Sequence, residues 1–325
     1  MSVELPRPLR AALEQELEGV SRRGLAERAA RTSAAYRAGQ GSAGVIRDVE
    51  DALAYALARL PATYAACATV FAEAARMAPE FAPAEMLDAG SGPAAASWAA
   101  LQAWPVLQQV TWLDASTPFL DSAGRLAVEA PPPLREARRL RADLTAPGPW
   151  PSADLVAASY ALAEIPPAKQ VAVVTALWAA ARGLLVLVEP GTPAGFARLL
   201  QARTALVAAG ADLLAPCPHA RSCPLAAPDW CHFSVRLPRS RDHRLAKGAE
   251  APFEDEKFAY LIAARPGVAA GPRSARVLRH PRASKPGLEL RLCGEAGLET
   301  RLVGKRDKVA HARARRLGWG DAWET

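Results

Sequence analysis

Apolar positions in the first eighty residues recur at helical intervals. Leu9, Leu13 and Leu17 fall four apart, and a second amphipathic run covers residues 25–36. Gly39-Gln40-Gly41-Ser42 interrupts the pattern, and residues 45–60 resume it, with Asp48, Glu50 and Asp51 early in that run, where the helix dipole favours anions. Pro61 suits the first turn of a helix, which predicts a new helix from there to about residue 77. Cys67 stands alone in that alanine-rich stretch and reads as a packed core thiol.

From Met86 the period changes. Short apolar runs at 86–90, 110–114, 154–159 and 184–189 predict strands, with helices over 94–103 and 168–181. Apolar strands separated by amphipathic helices imply a parallel sheet covered on both faces, an α/β doubly wound architecture. After about residue 215, Pro, Cys, His and Arg dominate. Strand-like pieces remain at 233–237, 258–263 and 288–293, and a Pro- and Arg-rich stretch, 265–287, separates the last two.

Charge follows the same division. Residues 1–231 carry 20 Lys and Arg against 22 Asp and Glu, whereas residues 232–325 carry 20 against 11, so the chain's net +7 arises in the last third. A regional Arg-rich excess suits a polyanion, because Lys and Arg neutralise phosphates and release counterions. The opening nineteen residues mix acids among their leucines and lack an apolar core, so no secretory signal is expected. The most apolar stretch, 171–188, is broken by Arg182-Gly183 and reads as helix then strand rather than a membrane span. The expectation is a soluble, cytoplasmic monomer in which five cysteines serve as ligands or buried thiols rather than disulfides.

Leu87-Asp88-Ala89-Gly90-Ser91-Gly92-Pro93-Ala94 sets an acid and then G-x-G between a strand and a helix. Glycines let the backbone approach a ligand, and the helix N-terminus offers free N–H groups. Asp114 ends the next strand, where a carboxylate can accept ribose hydroxyls. Asp143, in Arg141-Ala142-Asp143-Leu144, stands where an acid–apolar pair borders an adenine. This order resembles a Rossmann-like site for S-adenosylmethionine (SAM) more than the nicotinamide-binding alternative, with Asp88, Gly90, Gly92, Asp114 and Asp143 as cofactor-binding candidates. A catalytic set does not emerge. Ser159, Tyr160 and Glu164 follow the fourth strand, but an Asn/Asp-Pro-Pro-aromatic clamp is absent there, as is a nearby cysteine in the sequence. The catalytic residues are left unassigned.

Cys217, Cys223 and Cys231 follow one another in a C-x5-C-x7-C block that also holds His219 and His232, and Cys293 comes much later. Thiolates gathered in one place repel unless a metal holds them, so these four are the metal-ligand candidates. Their spacing fits a tetrahedral zinc site or an iron–sulfur cluster without choosing between them. Three regions are expected: helical 1–80, a SAM-type Rossmann core 81–214, and a Cys-rich, basic metal- and RNA-binding region 215–325.

These segments together resemble the Rsm22 family. The resemblance runs through the glycine loop, Val188-Glu189-Pro190-Gly191-Thr192, Pro216-Cys217-Pro218-His219, Asp229-Trp230-Cys231-His232-Phe233 and Trp319-Gly320-Asp321. It implies a maturation or assembly factor that binds the rRNA of the small ribosomal subunit, with ribosomal proteins as further partners. It also implies a four-iron (4Fe-4S) cluster on Cys217, Cys223, Cys231 and Cys293 and a SAM pocket at Asp88, Gly90, Gly92 and Asp114. An active SAM-dependent rRNA methyltransferase and a zinc-stabilised RNA-binding module are the alternatives. Ala94 departs from the family loop, which often has another glycine there.

Overall fold

A computed structural model describes residues 3–323 apart from 40, 43, 147, 269, 270 and 272, so Gln40 of the Gly39–Ser42 break lies outside the described residues. Three helices come first, α1 (Arg7–Glu16), α2 (Arg22–Arg37) and α3 (Val49–Met77). Asp48 caps α3 by accepting the Asp51 amide at 2.8 Å, the arrangement that satisfies an otherwise orphaned N–H. Pro61 does not start a helix; it lies inside α3, which runs unbroken for 29 residues. The expected break is overridden by packing. Leu57, Leu60, Ala62, Tyr64, Ala65 and Ala66 around it are all fully buried, and this burial offsets the missing hydrogen bond.

The alternating part follows as β1 (Glu85–Ala89), α4 (Ala95–Ala103), β2 (Gln109–Asp114), α5 (Thr117–Leu126), α6 (Pro132–Arg135), β3 (Arg138–Arg141), β4 (Ala153–Ser159), α7 (Pro167–Ala180), β5 (Ala181–Pro190), α8 (Pro193–Ala208) and β6 (Asp212–Ala215). Three of these helices, α6, α7 and α8, open on a proline, whose missing N–H costs nothing in the first turn. Next come β7 (Phe233–Pro238), α9 (Arg241–Lys247) and β8 (Phe253–Ala264). The main sheet has the order β3-β2-β1-β4-β5-β8-β6, parallel from β3 to β5, with β8 antiparallel to β5, β6 and β7. This is a Rossmann-like α/β sheet with antiparallel strands added at one edge. It reaches well past residue 214, because β8 pairs with β5 from Leu184 to Pro190. One hydrophobic cluster, built on α3 and α4, covers one face, and a second, built on α7 and α8, covers the other.

β6 and β7 share one flank of β8. β6 pairs with residues 262–264 and β7 with 253–258. Phe258 pairs with Pro190 of β5 on the other flank. The chain therefore leaves the sheet after Ala215, makes an excursion containing three cysteines, and rejoins the same flank at Phe233.

The remaining strands, β9 (Ala275–Val277), β10 (Arg282–Ala283), β11 (Gly287–Gly294), β12 (Gly297–Gly304) and β13 (Ala322–Trp323), form a small antiparallel sheet, and α10 (Lys308–Ala314) packs on it. Its own core includes Val277, Leu290, Leu292, Val303 and Trp323. No helix of the described residues is long and apolar enough to cross a membrane.

Candidate functional site

Strand order reverses between β1 and β4, which opens a crevice at their carboxyl ends. β1 brings Asp88 there, fully buried. Its Oδ2 accepts the Ser97 hydroxyl (2.6 Å) and amide (3.2 Å), and the Ser97 hydroxyl in turn accepts the Trp112 indole N–H. Burial pushes the Asp88 carboxyl up to about 7, against the pull of the Ser97 hydrogen bonds. Among the described residues, Asp88 Oδ1 and Ser91 Oγ are buried without a partner.

The glycine turn is folded onto β2. Gly90 and Ser91 amides donate to the Leu113 carbonyl (2.7 and 3.1 Å), and the Gly92 amide donates to Asp114 (2.8 Å). The other Asp114 oxygen accepts the Ser116 amide at 2.8 Å. Burial raises the Asp114 carboxyl to about 6. The two glycines differ. A methyl on Gly90 would lie 2.7 Å from the Cβ of Ala161, whereas one on Gly92 would meet only open space. Both have positive φ, and so does Ala94 at +63°, which explains a preference for glycine at that position. Asp143 lies two residues beyond the partner of Asp114 in β3, is exposed, and accepts the Thr145 amide. The orphaned oxygens of Asp88 and Ser91 beside the open Gly92 fit a nucleoside-bearing ligand, while Ala161 closes the side next to Gly90.

Beyond β4 the polar groups satisfy one another. Tyr160 adopts a left-handed φ of +59° and donates to Glu256 at 2.8 Å, and Arg59 of α3 binds the same carboxylate at 3.0 Å. Glu164 accepts the Tyr36 hydroxyl at 2.6 Å and both donors of Ser42. Tertiary structure also brings Cys67 to Ser159 at the end of β4, a neighbour that sequence spacing gave no reason to expect. Cys67 is fully buried, and that burial pushes its thiol above the ordinary range, so it stays protonated as a core group.

The four later cysteines converge. Cys217, Cys223 and Cys231 come from the excursion between β6 and β7, and Cys293 from β11. All four line one cavity of ≈ 40 Å³ against Tyr260 of β8. Burial raises Cys293 to about 11, with Cys217 and Cys223 adding to it. Cys231 is pushed well above its ordinary value by burial and then by the other three. Burial raises Cys217 as well, and in each of Cys217, Cys231 and Cys293 a neighbouring cysteine adds to the rise. Among the described residues, however, no group of three or more His, Cys, Asp or Glu is arranged to hold a single metal ion. His219 is buried with its Nδ1 unpartnered, and His232 stacks on Trp230 at 4.8 Å between ring centres.

Two residues that sequence reasoning missed also line the cavity, Arg203 of α8 and Arg276 of β9. Arg203 carried a readable signal. It falls between Leu199 and Leu206 on the buried stripe of α8, where an arginine is out of place. Arg276 carried none.

A sequence profile of the family described as mitochondrial small ribosomal subunit Rsm22 matches residues 49–324. The human mitochondrial ribosome assembly protein METTL17 is 32% identical over 252 residues, which make up 73% of this chain and 52% of the human protein. The chain thus spans about half the length of that curated relative. Among solved structures, the magnesium protoporphyrin IX methyltransferase of Synechocystis PCC 6803 with bound S-adenosylhomocysteine aligns at 16% identity and a TM-score of 0.42, over 63% of this chain and 83% of its own. A putative RNA methyltransferase from Pyrococcus horikoshii aligns at 10% and 0.40, over 61% and 81%.

Proposed function

The chain belongs to the family described as mitochondrial small ribosomal subunit Rsm22, and from that premise we propose that it is an assembly factor that binds small-subunit rRNA and carries an iron–sulfur cluster on Cys217, Cys223, Cys231 and Cys293. The observation that carries this reading is the convergence of four thiols from two distant parts of the chain on one cavity. Thiolates around a single zinc ion draw in to about 2.3 Å from it. A cavity of ≈ 40 Å³, several times the 10–15 Å³ that holds one water, suits a larger inorganic group. Such a group ties the excursion to β11 and so joins the small sheet to the Rossmann sheet. The basic last third, with 20 Lys and Arg against 11 Asp and Glu from residue 232 onward, supplies the charge that RNA phosphates need.

Anaerobic purification with iron and sulfide analysis tests the cluster, and titration of small-subunit rRNA with loaded and chelator-stripped protein tests its role. The expected result is iron and sulfide in the fresh protein and weaker RNA binding once they are removed. Equal binding by stripped protein would remove the cluster from the RNA function.

A second reading has its own observation. The unpartnered oxygens of Asp88 and Ser91 beside the open face of Gly92 favour SAM at the carboxyl ends of β1 and β2. Asp88, Gly90, Gly92, Asp114 and Asp143 would hold it, and SAM supplies an electrophilic methyl group. Tyr160 and Glu164 sit where an acceptor would approach, but their polar groups are bound within the chain. The assembly role is therefore favoured over methyl transfer. Calorimetry with SAM separates the two, because a folded protein that takes up no SAM is not a SAM-dependent enzyme.

A further inference from the structure

We propose that Arg203 and Arg276 are the fixed counter-cations of the cysteine centre, two buried guanidinium groups that hold its anionic charge and set the reduction potential of the cluster. This rests on the cluster reading above.

Both arginines are nearly inaccessible, at 5% and 4% exposure, and both line the cysteine cavity. Arg203 donates to the carbonyl oxygens of His219 (2.7 Å) and Arg221 (2.5 Å), within the loop that carries Cys217 and Cys223. Its positive charge also acts on the Cys217 thiol, opposing the effect of burial there. No carboxylate of the described residues lies within 4.0 Å of it among the ion pairs formed. Arg276 reaches across the molecule, to the Gly320 carbonyl at 2.7 Å and to Glu73 of α3. In each arginine the Nε is buried without a partner.

A buried cation is tolerated only when an anion or a full set of acceptors compensates it. Arg203 has two carbonyls but no carboxylate, and four neutral thiols would leave its charge uncompensated. Four thiolates around a cluster reverse this, because they carry more negative charge than the core carries positive. Arg203 and the centre then neutralise each other, and Arg276, which also pairs with Glu73, adds its positive charge beside the centre. Hydrogen bonds to cluster sulfurs and nearby net charge are the protein's main means of setting a cluster's potential. A positive charge favours the reduced, more negative state and so raises the potential. Arg203 also fixes the backbone of the loop that delivers two of the four ligands.

The test compares anaerobically purified wild type with Arg203→Gln, Arg276→Gln, Arg203→Lys and Arg276→Lys. Iron and sulfide content, circular dichroism and the midpoint potential from an EPR-monitored titration are measured on each. Loss of one charge is expected to shift the reduction equilibrium at least tenfold toward the oxidised state in each Gln variant, which for one electron lowers the potential by about 59 mV. The Lys variants are expected to shift less. Gln variants that bind no iron while the Lys variants do would also support the assignment, since charge is what they retain. Folded Lys variants as empty as the Gln variants would overturn it. Wild-type protein free of iron and sulfide sinks the cluster reading and this assignment with it. Loaded wild type together with Gln variants of unchanged iron content and potential sinks the assignment alone.

Discussion

The glycine turn and the cysteine cavity treat their polar groups differently. At the turn, the chain supplies most of the partners itself. Leu113 accepts two loop amides, Asp114 takes the Gly92 and Ser116 amides, and Ser97 holds Asp88. At the cavity, four thiols face one another, and two arginines each keep a buried Nε without a partner. A site closed by its own hydrogen bonds is stable when empty. A site of clustered thiols and incompletely partnered guanidinium groups gains stability from what it binds.

The largest expected effect breaks the second half of this contrast. Cys231→Ser removes the cysteine raised by all three others, and is expected to abolish iron and sulfide content and to lower the melting temperature markedly, since metal-site binding energy is folding energy. Cys67→Ala, at a more deeply buried thiol outside the cavity lining, is expected to keep full metal content. Loss of metal in both variants would mean that the four-cysteine grouping is wrong.

Asp88 tests the first half. Its carboxyl is raised from 3.8 to about 7 by burial, so the folded protein holds that proton more tightly than the unfolded chain. The sign follows. This contribution is fully present below about pH 4 and is lost as pH rises through 7, by roughly 4 kcal/mol on the one-unit conversion. Asp88→Asn keeps an acceptor for Ser97 and does not ionise. Denaturant midpoints for the two proteins are expected to diverge between pH 4 and pH 7, with the variant the more stable at the upper end. Parallel curves would show that Asp88 titrates normally.

The two glycines sharpen the comparison further. Gly90→Ala places a methyl 2.7 Å from Ala161 in a left-handed conformation, and is expected to cost about 2–4 kcal/mol from overpacking and strain. Gly92→Ala meets only the conformational cost, about 1–2 kcal/mol. If the open face of Gly92 admits a nucleoside, this milder change is nonetheless expected to weaken SAM binding in calorimetry. An unaltered SAM affinity in Gly92→Ala would place any ligand elsewhere.

Much of the first site was legible because its determinants are close together in the chain. Acid, turn and helix occupy Asp88 to Ala103, and Asp114 ends the very next strand. The second site was legible only as a set of residue types. Cysteine spacing pointed to metal chemistry, but Arg276 looks like any exposed arginine between Ala275 and Val277. Pro61 shows the converse failure, where a sound local rule lost to the burial of the helix around it.

By itself, the sequence determined the alternation of strands and helices, the glycine turn with its acids, the regional excess of positive charge, and the presence of thiols suited to a metal. Periodicity and short-range spacing encode these, since each depends on neighbours within a few turns or one strand. Tertiary structure alone decided that β8 runs antiparallel, that β6 and β7 share its flank around the cysteine excursion, and that Cys293, Arg203 and Arg276 meet there. The reason is that strand pairing between distant segments is fixed by the burial of whole faces, and no local pattern carries that information.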